Sequence, residues 1–246
     1  MNQFELLNDN CLPILDKFIS ENRKVDCIIT SPPYNMNLRV MKGKYVSRCN
    51  NKNHKIEFST KYENYNDDLS MEYYFNFQKF LSDFFKNTSA NIQMLTGNKI
   101  ALFKLMGYFA DKIKEIIIWD KGYGQPAMQV GMLNSQFEFI IVFDNNKPYN
   151  RAFDCANFAR GTETNIWEIK RERNKFIKAG FPKALIEKIL VNFTNENDTI
   201  LDPFMGSGTC GIVCKEMNRN FIGIELDKNM FKIAKERIEN INKKYP

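Results

Sequence analysis

Histidine is almost missing from this chain of 246 residues: His54 is the only one. It sits in a basic stretch, where a phosphate or solvent contact suits it better than the role of catalytic base. Six cysteines, at positions 11, 27, 49, 155, 210 and 214, form no C-x-x-C pair and no metal-ligand spacing. They read as reduced thiols in a cytosolic setting, with no metal expected. Long apolar runs are missing too. The longest, Ile116 to Trp119 and Phe137 to Phe143, fall far short of the ~20 residues that cross a bilayer, so no membrane partner is expected. The opening MNQFELLNDN has neither a basic head nor an apolar run, and no signal peptide is expected from it. Repeats and low-complexity blocks are also missing. What is present is 43% hydrophobic, 26% charged and 13% aromatic, an ordinary globular composition. Ile, Leu and Phe are abundant enough to bury a core, which excludes disorder of the whole chain.

Charge becomes informative once it is located. The net formal charge is +6. Between Leu38 and Lys61 stand Arg39, Lys42, Lys44, Arg48, Lys52, Lys55 and Lys61 against Glu57 alone. A second cluster holds Lys170, Arg171, Arg173, Lys175 and Lys178 against Glu172. Solvated lysine-coated loops would look like this. So would a polyanion-binding surface, which gains affinity by releasing counterions from phosphates. Charge alone leaves both readings open.

Along the chain, strands and helices alternate. Val25 to Thr30 is a β-branched run stopped by Ser31-Pro32-Pro33, a buried strand that ends abruptly. Asp68 to Lys86 carries aromatics at helical spacing, most simply core. Strands are expected over Ile92–Leu95, Ile113–Trp119, Gln136–Asp144, Thr199–Asp202 and Phe221–Glu225. Helices are expected over Lys99–Asp111, Pro182–Val191, Thr209–Met217 and Asp227–Asn242. This alternation implies an α/β fold, a mostly parallel sheet with helices on both faces. The basic stretch from about 37 to 65 is too long for an ordinary connection and reads as a loop inserted into a single domain over 1–246.

Asp202-Pro203-Phe204-Met205-Gly206-Ser207-Gly208-Thr209 joins an expected strand to an expected helix. Glycines at 206 and 208 allow a tight turn and close approach of a ligand. The following helix start turns its amides and positive dipole end toward that ligand. Glu225, nineteen residues after Gly206 at the end of the next strand, suits the two hydroxyls of a ribose. Together these describe a pocket for an adenosine-containing cofactor. A phosphate-binding P-loop needs G-K-S/T after the glycines, and Gly208 is followed by Thr209-Cys210. Gly206-x-Gly208-x-x-Gly211 does satisfy a dinucleotide fingerprint literally, but there is little chain after it to hold a nicotinamide half. A turn serving packing alone is the third reading. Asp202 favours S-adenosylmethionine, because a carboxylate there repels a pyrophosphate and can face a cationic amino acid moiety.

Thr30-Ser31-Pro32-Pro33-Tyr34-Asn35 is the second constellation. Its prolines fix φ and remove two donors, leaving a stiff turn rich in acceptors beside a tyrosine ring. That equipment can hold a planar heterocycle bearing an exocyclic amino group. Two acceptors off the ring plane favour a pyramidal nitrogen whose lone pair is free to attack. In isolation, a proline-stiffened strand terminator reads equally well.

With both turns in hand, the sequence resembles the amino-methyltransferases of DNA that make N6-methyladenine or N4-methylcytosine. Thr30 to Asn35 is similar to their catalytic Asp/Asn/Ser-Pro-Pro-aromatic motif, and Asp202 to Thr209 to their D-P-F-x-G-S-G-T cofactor motif. Catalytic motif first and cofactor motif last resembles the circularly permuted beta class. Trp119-Asp120-Lys121, Phe137-Glu138-Phe139, Asn165-Ile166-Trp167 and Phe181-Pro182 stand where that class has comparable segments.

The resemblance implies a Rossmann-like methyltransferase fold and S-adenosylmethionine as cofactor. It implies catalytic roles for Ser31, Pro32, Pro33 and Tyr34. Asp202, Pro203, Phe204, Gly206, Ser207, Gly208, Thr209 and Glu225 would bind the cofactor. Asn10 falls, by gapless alignment, where the family has an Asp associated with the cofactor's adenine. Double-stranded DNA is the implied partner, contacted by Arg39, Lys42, Lys44, Arg48, Lys52, Arg171 and Arg173. A homodimer and a cognate restriction endonuclease fit the same class, as does a cytoplasmic setting. Ser31, where adenine enzymes more often carry Asp, leans the reading toward cytosine N4, with adenine N6 as the alternative. An RNA or protein-glutamine methyltransferase and a non-catalytic DNA-binding module are the remaining rivals.

Overall fold

The computed structural model describes residues 2–32, 40–41, 44–45, 90–95, 103, 106–125, 130–131, 133–143, 152–172 and 181–241. Ten strands are described: β1 (Phe4–Leu7), β2 (Cys27–Thr30), β3 (Val40–Met41), β4 (Lys44–Tyr45), β5 (Ala90–Leu95), β6 (Ile113–Gln125), β7 (Ser135–Phe143), β8 (Ile166–Glu168), β9 (Thr199–Asp202) and β10 (Asn220–Ile224). Four full helices accompany them: α1 (Cys11–Ser20), α2 (Lys183–Phe193), α3 (Thr209–Glu216) and α4 (Lys228–Glu239). Of the expected helix over 99–111, Phe103 and residues 106–111 are described: Phe103 and 106–108 are helical, whereas 109–111 form a turn. The expected helix over 68–86 lies outside the described residues, as does most of the basic stretch over 37–65; β3 and β4 pair antiparallel within it.

Eight strands form one sheet in the order β1-β10-β9-β2-β5-β7-β6-β8. β1, β10, β9, β2 and β5 pair parallel to one another. β7 is antiparallel to both β5 and β6, and β8 runs parallel to β6. Seven strands therefore point one way and β7 alone points back. The fold expectation of a mostly parallel sheet holds, with one reversed strand added.

Both faces of this sheet are covered, because the side chains alternate. Cys27, Ile29, Ile200 and Phe221 join the cluster formed with Leu185, Ile189 and Leu190 of α2, Val213 of α3, and Ala234 and Ile238 of α4. Ile28, Leu201 and Ile222, one residue out of phase, pack with Leu15 and Phe18 of α1 on the other face. Farther along that face, Ile141 and Phe143 of β7 meet Phe109. Strands buried on both faces read as continuous apolar runs, as CIIT and NFIGI do.

The chain moves in opposite directions from the middle of the sheet. β9 leads through α3 to β10, one strand toward β1, whereas the next strand of this sheet after β2 in the chain is β5, on its other side. The boundary between β9 and β2 is thus a topological switch point, where the loops at the carboxyl ends of strands part and leave a crevice.

Candidate functional site

Four segments converge at the carboxyl ends of β1, β10, β9 and β2: residues 8–10, 225–227, 203–208 and 31–32. Their order follows from the sheet. Parallel pairing of Cys27 with Ile200 and Ile28 with Leu201 sets the ends of β2 and β9 side by side. There the Thr30 hydroxyl donates to Asp202 Oδ1 at 2.9 Å, across 172 residues of sequence. Thr30 is fully buried and Asp202 nearly so. The hydrogen bond ties the residue before Ser31 to the first residue of the glycine-rich turn, so the two motifs meet at one edge.

The turn itself is held by backbone bonds. The Phe204 amide donates to Asp202 Oδ1 (3.1 Å), the Met205 amide to the Ile224 carbonyl (2.9 Å), and the Gly206 amide to Glu225 Oε2 (2.9 Å). Arg237 of α4 donates to the Ser207 carbonyl at 2.6 Å. Gly208 caps α3 with φ +77°, and Gly206 has φ +50°. Both conformations favour glycine, but the surroundings differ. A Cβ on Gly208 would stand 3.0 Å from Ala234 Cβ and Ile238 Cδ1, whereas one on Gly206 would meet nothing nearer than the Phe204 carbonyl at 3.9 Å. Gly206 therefore faces open space and Gly208 serves close packing against α4. Gly211 is also a packing glycine, hemmed by Ile238 and Phe221 at 2.6–2.7 Å, which explains the third glycine of the apparent dinucleotide fingerprint.

Glu225 closes the far side. Its amide donates to the Leu7 carbonyl (3.0 Å), and its Oε1 accepts from the Asp227 amide (2.8 Å). Asn8 Nδ2 donates to the Glu225 carbonyl at 2.8 Å, bringing the β1–α1 loop alongside. Asn10 caps α1, its side-chain oxygen accepting from the Leu12 amide at 3.0 Å, while Asp9 accepts from the Asn10 amide at 2.7 Å.

Electrostatically the site is unbalanced. Burial pushes the Asp202 carboxyl up to about 7, although bonds from Thr30 and Phe204 pull it down; the charge of Glu225 adds to the rise. Burial likewise raises the Glu225 carboxyl, against the amide bonds from Asp227 and Gly206, and the Asp227 charge adds to the rise. Burial drives the nearby Cys11 thiol to about 12, so it is an inert thiol. Among the described residues, no cationic side chain pairs with Asp202 or Glu225. A buried carboxylate, Asp202, and a half-buried one, Glu225, around an open glycine face fit a ligand that is cationic at one end and rich in hydroxyls at the other. That is the chemistry of S-adenosylmethionine.

Other expected segments fall on the β6–β8 side. Trp119 is buried, its indole N–H donating to the Ile169 carbonyl (2.7 Å) and its ring 5.7 Å from that of Phe181. Trp167 is buried too. Lys121 is 2% exposed and lies 3.4 Å from Glu138 Oε1, which Arg171 also reaches at 2.9 Å. Arg171, expected at a DNA-facing surface, forms this ion pair with its side chain still 34% exposed. Pro33, Tyr34, Arg39, Lys42, Arg48, Lys52 and Arg173 lie outside the described residues; Lys44 is described only as backbone of β4. Five cysteines are described and none is in a disulfide. Among the described residues no acidic, His or Cys cluster could hold a metal, and no helix is long and apolar enough to cross a membrane.

Comparison with known proteins places this geometry. A family model for DNA methylase, covering N6 and N4 methyltransferases, matches residues 25–236. The chain belongs to this DNA methylase family. It is 29% identical to the type II methyltransferase M.HpaI of Haemophilus parainfluenzae, over 89% of this chain and 70% of that protein. It is 50% identical to the type II methyltransferase M2.DpnII of Streptococcus pneumoniae, over 51% of this chain and 61% of that one. The matches thus span about 60 to 70% of these relatives' lengths. The fold is similar to that of the M1.HpyAVI–SAM complex, with a TM-score of 0.63 at 24% identity, covering 96% of this chain and 100% of that one.

Sequence reasoning missed the Thr30–Asp202 bond, the Asn8 contacts and the Arg237 clamp. None carries a local signal. Each depends on strand register or helix placement between residues far apart in the chain.

Proposed function

We propose that this chain transfers a methyl group from S-adenosylmethionine to the exocyclic amino nitrogen of a base in double-stranded DNA. The observation that carries the reading is the Thr30–Asp202 bond, which brings the Ser31-Pro32 turn beside the glycine turn. Bound there, the sulfonium cofactor would supply an electrophilic methyl group. The chain's own residues do the rest. Asp202 would receive the cationic amino acid end. Gly206 leaves room for the cofactor's approach. Glu225 holds two backbone amides, and its oxygens keep further lone pairs for ribose hydroxyls. Asn10 and its neighbour Asp9 sit on the segment suited to the adenine ring. Pro203, Phe204, Ser207 and Thr209 shape the turn.

On the substrate side, the Ser31 hydroxyl and the Pro32 carbonyl would accept from the amino nitrogen, with Pro33 stiffening the turn and Tyr34 stacking on the base. A paired base is out of reach in the stack, so it must be extruded first. Holding nitrogen and methyl in line supplies much of the rate. Arg39, Lys42, Lys44, Arg48, Lys52, Arg171 and Arg173 would neutralise backbone phosphates. Ser31, a neutral acceptor, leans the target toward cytosine N4 with adenine N6 the alternative. A second copy of the chain and a cognate restriction endonuclease belong to the same reading.

Incubation with labelled S-adenosylmethionine and duplex DNA, RNA or protein, followed by mass spectrometry of the hydrolysate, tests this reading. N4-methylcytosine or N6-methyladenine is the expected product, and label in RNA, in glutamine or nowhere would overturn it. Ser31→Ala and Tyr34→Ala should each lower kcat by about 100-fold or more, the scale of a lost positioning or acceptor group, with cofactor affinity changed less than about threefold. Equal loss of both would make the turn a scaffold only.

A further inference from the structure

Beyond the site residues themselves, Thr30 stands out. It is fully buried, adjacent to Ser31, and hydrogen-bonded to a carboxylate of the neighbouring turn. Threonine at a strand end is ordinary, and a buried hydroxyl could satisfy itself on a nearby backbone carbonyl, as Thr194 does on Leu190. Thr30 instead bonds across to the strand that carries the other motif.

We propose that Thr30 is a positioning residue that couples cofactor occupancy at the glycine turn to the placement of the Ser31-Pro32 turn. The inference rests on the proposed cofactor and substrate roles of these turns. Asp202 Oδ1 accepts from two directions at once: from Thr30 at the end of β2 and from the Phe204 amide inside the glycine turn. Both bonds fall on the same oxygen, which leaves Oδ2 to meet a cationic group. A cation arriving there redistributes charge over the carboxylate and restricts its rotation. The hydroxyl of Thr30 is the only side-chain donor described on Asp202, so any reorientation is transmitted to β2 one residue before the acceptors of the substrate site. Because Thr30 is sealed from solvent, water cannot substitute for its hydroxyl.

Coupling between two ligands is reciprocal and commonly amounts to about 5- to 150-fold in affinity. The test uses Thr30→Val, which removes the donor and keeps the shape; the Phe204 amide still satisfies Asp202 Oδ1, so the variant has no orphaned acceptor. Thr30→Ser keeps the hydroxyl and loses only a methyl group. Hydrogen exchange in peptides covering residues 27–32 is followed with and without S-adenosylmethionine. In the native protein and in Thr30→Ser, cofactor should slow this exchange, and cofactor and duplex DNA should tighten each other's binding by about tenfold. In Thr30→Val, both effects should shrink to near unity although cofactor still binds. Retention of both effects in Thr30→Val overturns the proposal. So does their loss in Thr30→Ser to the same extent, which would assign the effect to packing of the methyl group. The proposed activity fails separately, by absence of methylated base in the native protein, and the exchange measurement reports on the coupling in either case.

Discussion

Glu138 and the pair Asp202–Glu225 are all buried or largely buried carboxylates at one edge of one sheet, and the fold surrounds them differently. Glu138 is met by two cations, Lys121 at 3.4 Å and Arg171 at 2.9 Å. Asp202 and Glu225 are met by a hydroxyl and three backbone amides, all neutral. Burying charge is costly unless it is paired. In the first region the chain supplies its own counter-charge, and the carboxylate on β7 ties Lys121 of β6 to Arg171, which follows β8. In the second the imbalance is left standing, beside a glycine with open space in front of it. Two carboxylates left uncompensated at a switch point suit a cation from outside, which is what the proposed cofactor site requires.

The sharpest way to break the comparison is to remove Glu138. Glu138→Ala leaves Lys121 inside the protein with no counter-ion, which should cost about 3–5 kcal/mol of stability. The unfolding midpoint should drop on the order of 10 °C, while the folded fraction binds S-adenosylmethionine with native affinity. A native midpoint would mean that Lys121 reaches solvent and that the pair is not structural.

Removing charge on the other side should do the reverse. Asp202→Asn keeps an acceptor for Thr30 and Phe204 but deletes the negative charge. Stability at pH 8 should hold or rise, and calorimetric cofactor affinity should fall by roughly 10- to 100-fold, the worth of a charged hydrogen bond. The pH dependence sharpens this. The Asp202 carboxyl lies at about 7 in the folded chain against about 3.9 unfolded. Its contribution to stability is therefore fully present below about pH 4 and is lost as pH rises through about 7, because the native state holds a proton the unfolded chain has released. Cofactor binding favours the ionised form, so affinity should climb from pH 6 to pH 8 with release of a proton. In Asp202→Asn that slope should vanish. An unchanged slope would assign the proton to another group.

How much of this was legible beforehand follows from how local each feature is. The two turns were readable because prolines, glycines and their spacing act over a few residues. β9, α3, β10 and α4 appear within two or three residues of the expected positions, since their apolar periods are clean. β6 was expected to stop at Trp119 and runs to Gln125. A register shift between Asp120 and Gln125 accommodates the extra length, with Gly122 at φ +74° and its amide bonded to Asp120. Such a bulge breaks the period-2 pattern that marks a strand. β1, α1 and β8 are short or weakly patterned and were not read from periodicity. The reversal of β7 was not legible either, because alternation carries no direction. The ion pair of Arg171 with Glu138 was hidden for a different reason: a cluster of like charges says nothing about which member has a buried acid within reach.

The smallest expected effects compare the two glycines of the turn. Each has a positive φ, so alanine at either carries a backbone cost of about 1–2 kcal/mol. At Gly208 the new methyl group would also press at 3.0 Å on Ala234 and Ile238, and Ala234 Cα lies only 3.2 Å away. Backbone that close cannot swing aside, so α3 and α4 must separate slightly. At Gly206 the methyl group meets no such wall and projects into the open face instead. Gly208→Ala should therefore lower the unfolding midpoint further than Gly206→Ala, while Gly206→Ala should lose more cofactor affinity, by about tenfold, the equivalent of 1.4 kcal/mol. Denaturant unfolding and calorimetry on both variants decide the matter. If Gly206→Ala binds S-adenosylmethionine as tightly as the native chain, the open space before that glycine is not where the cofactor sits. The uncompensated charge of Asp202 and Glu225 would then need a different ligand.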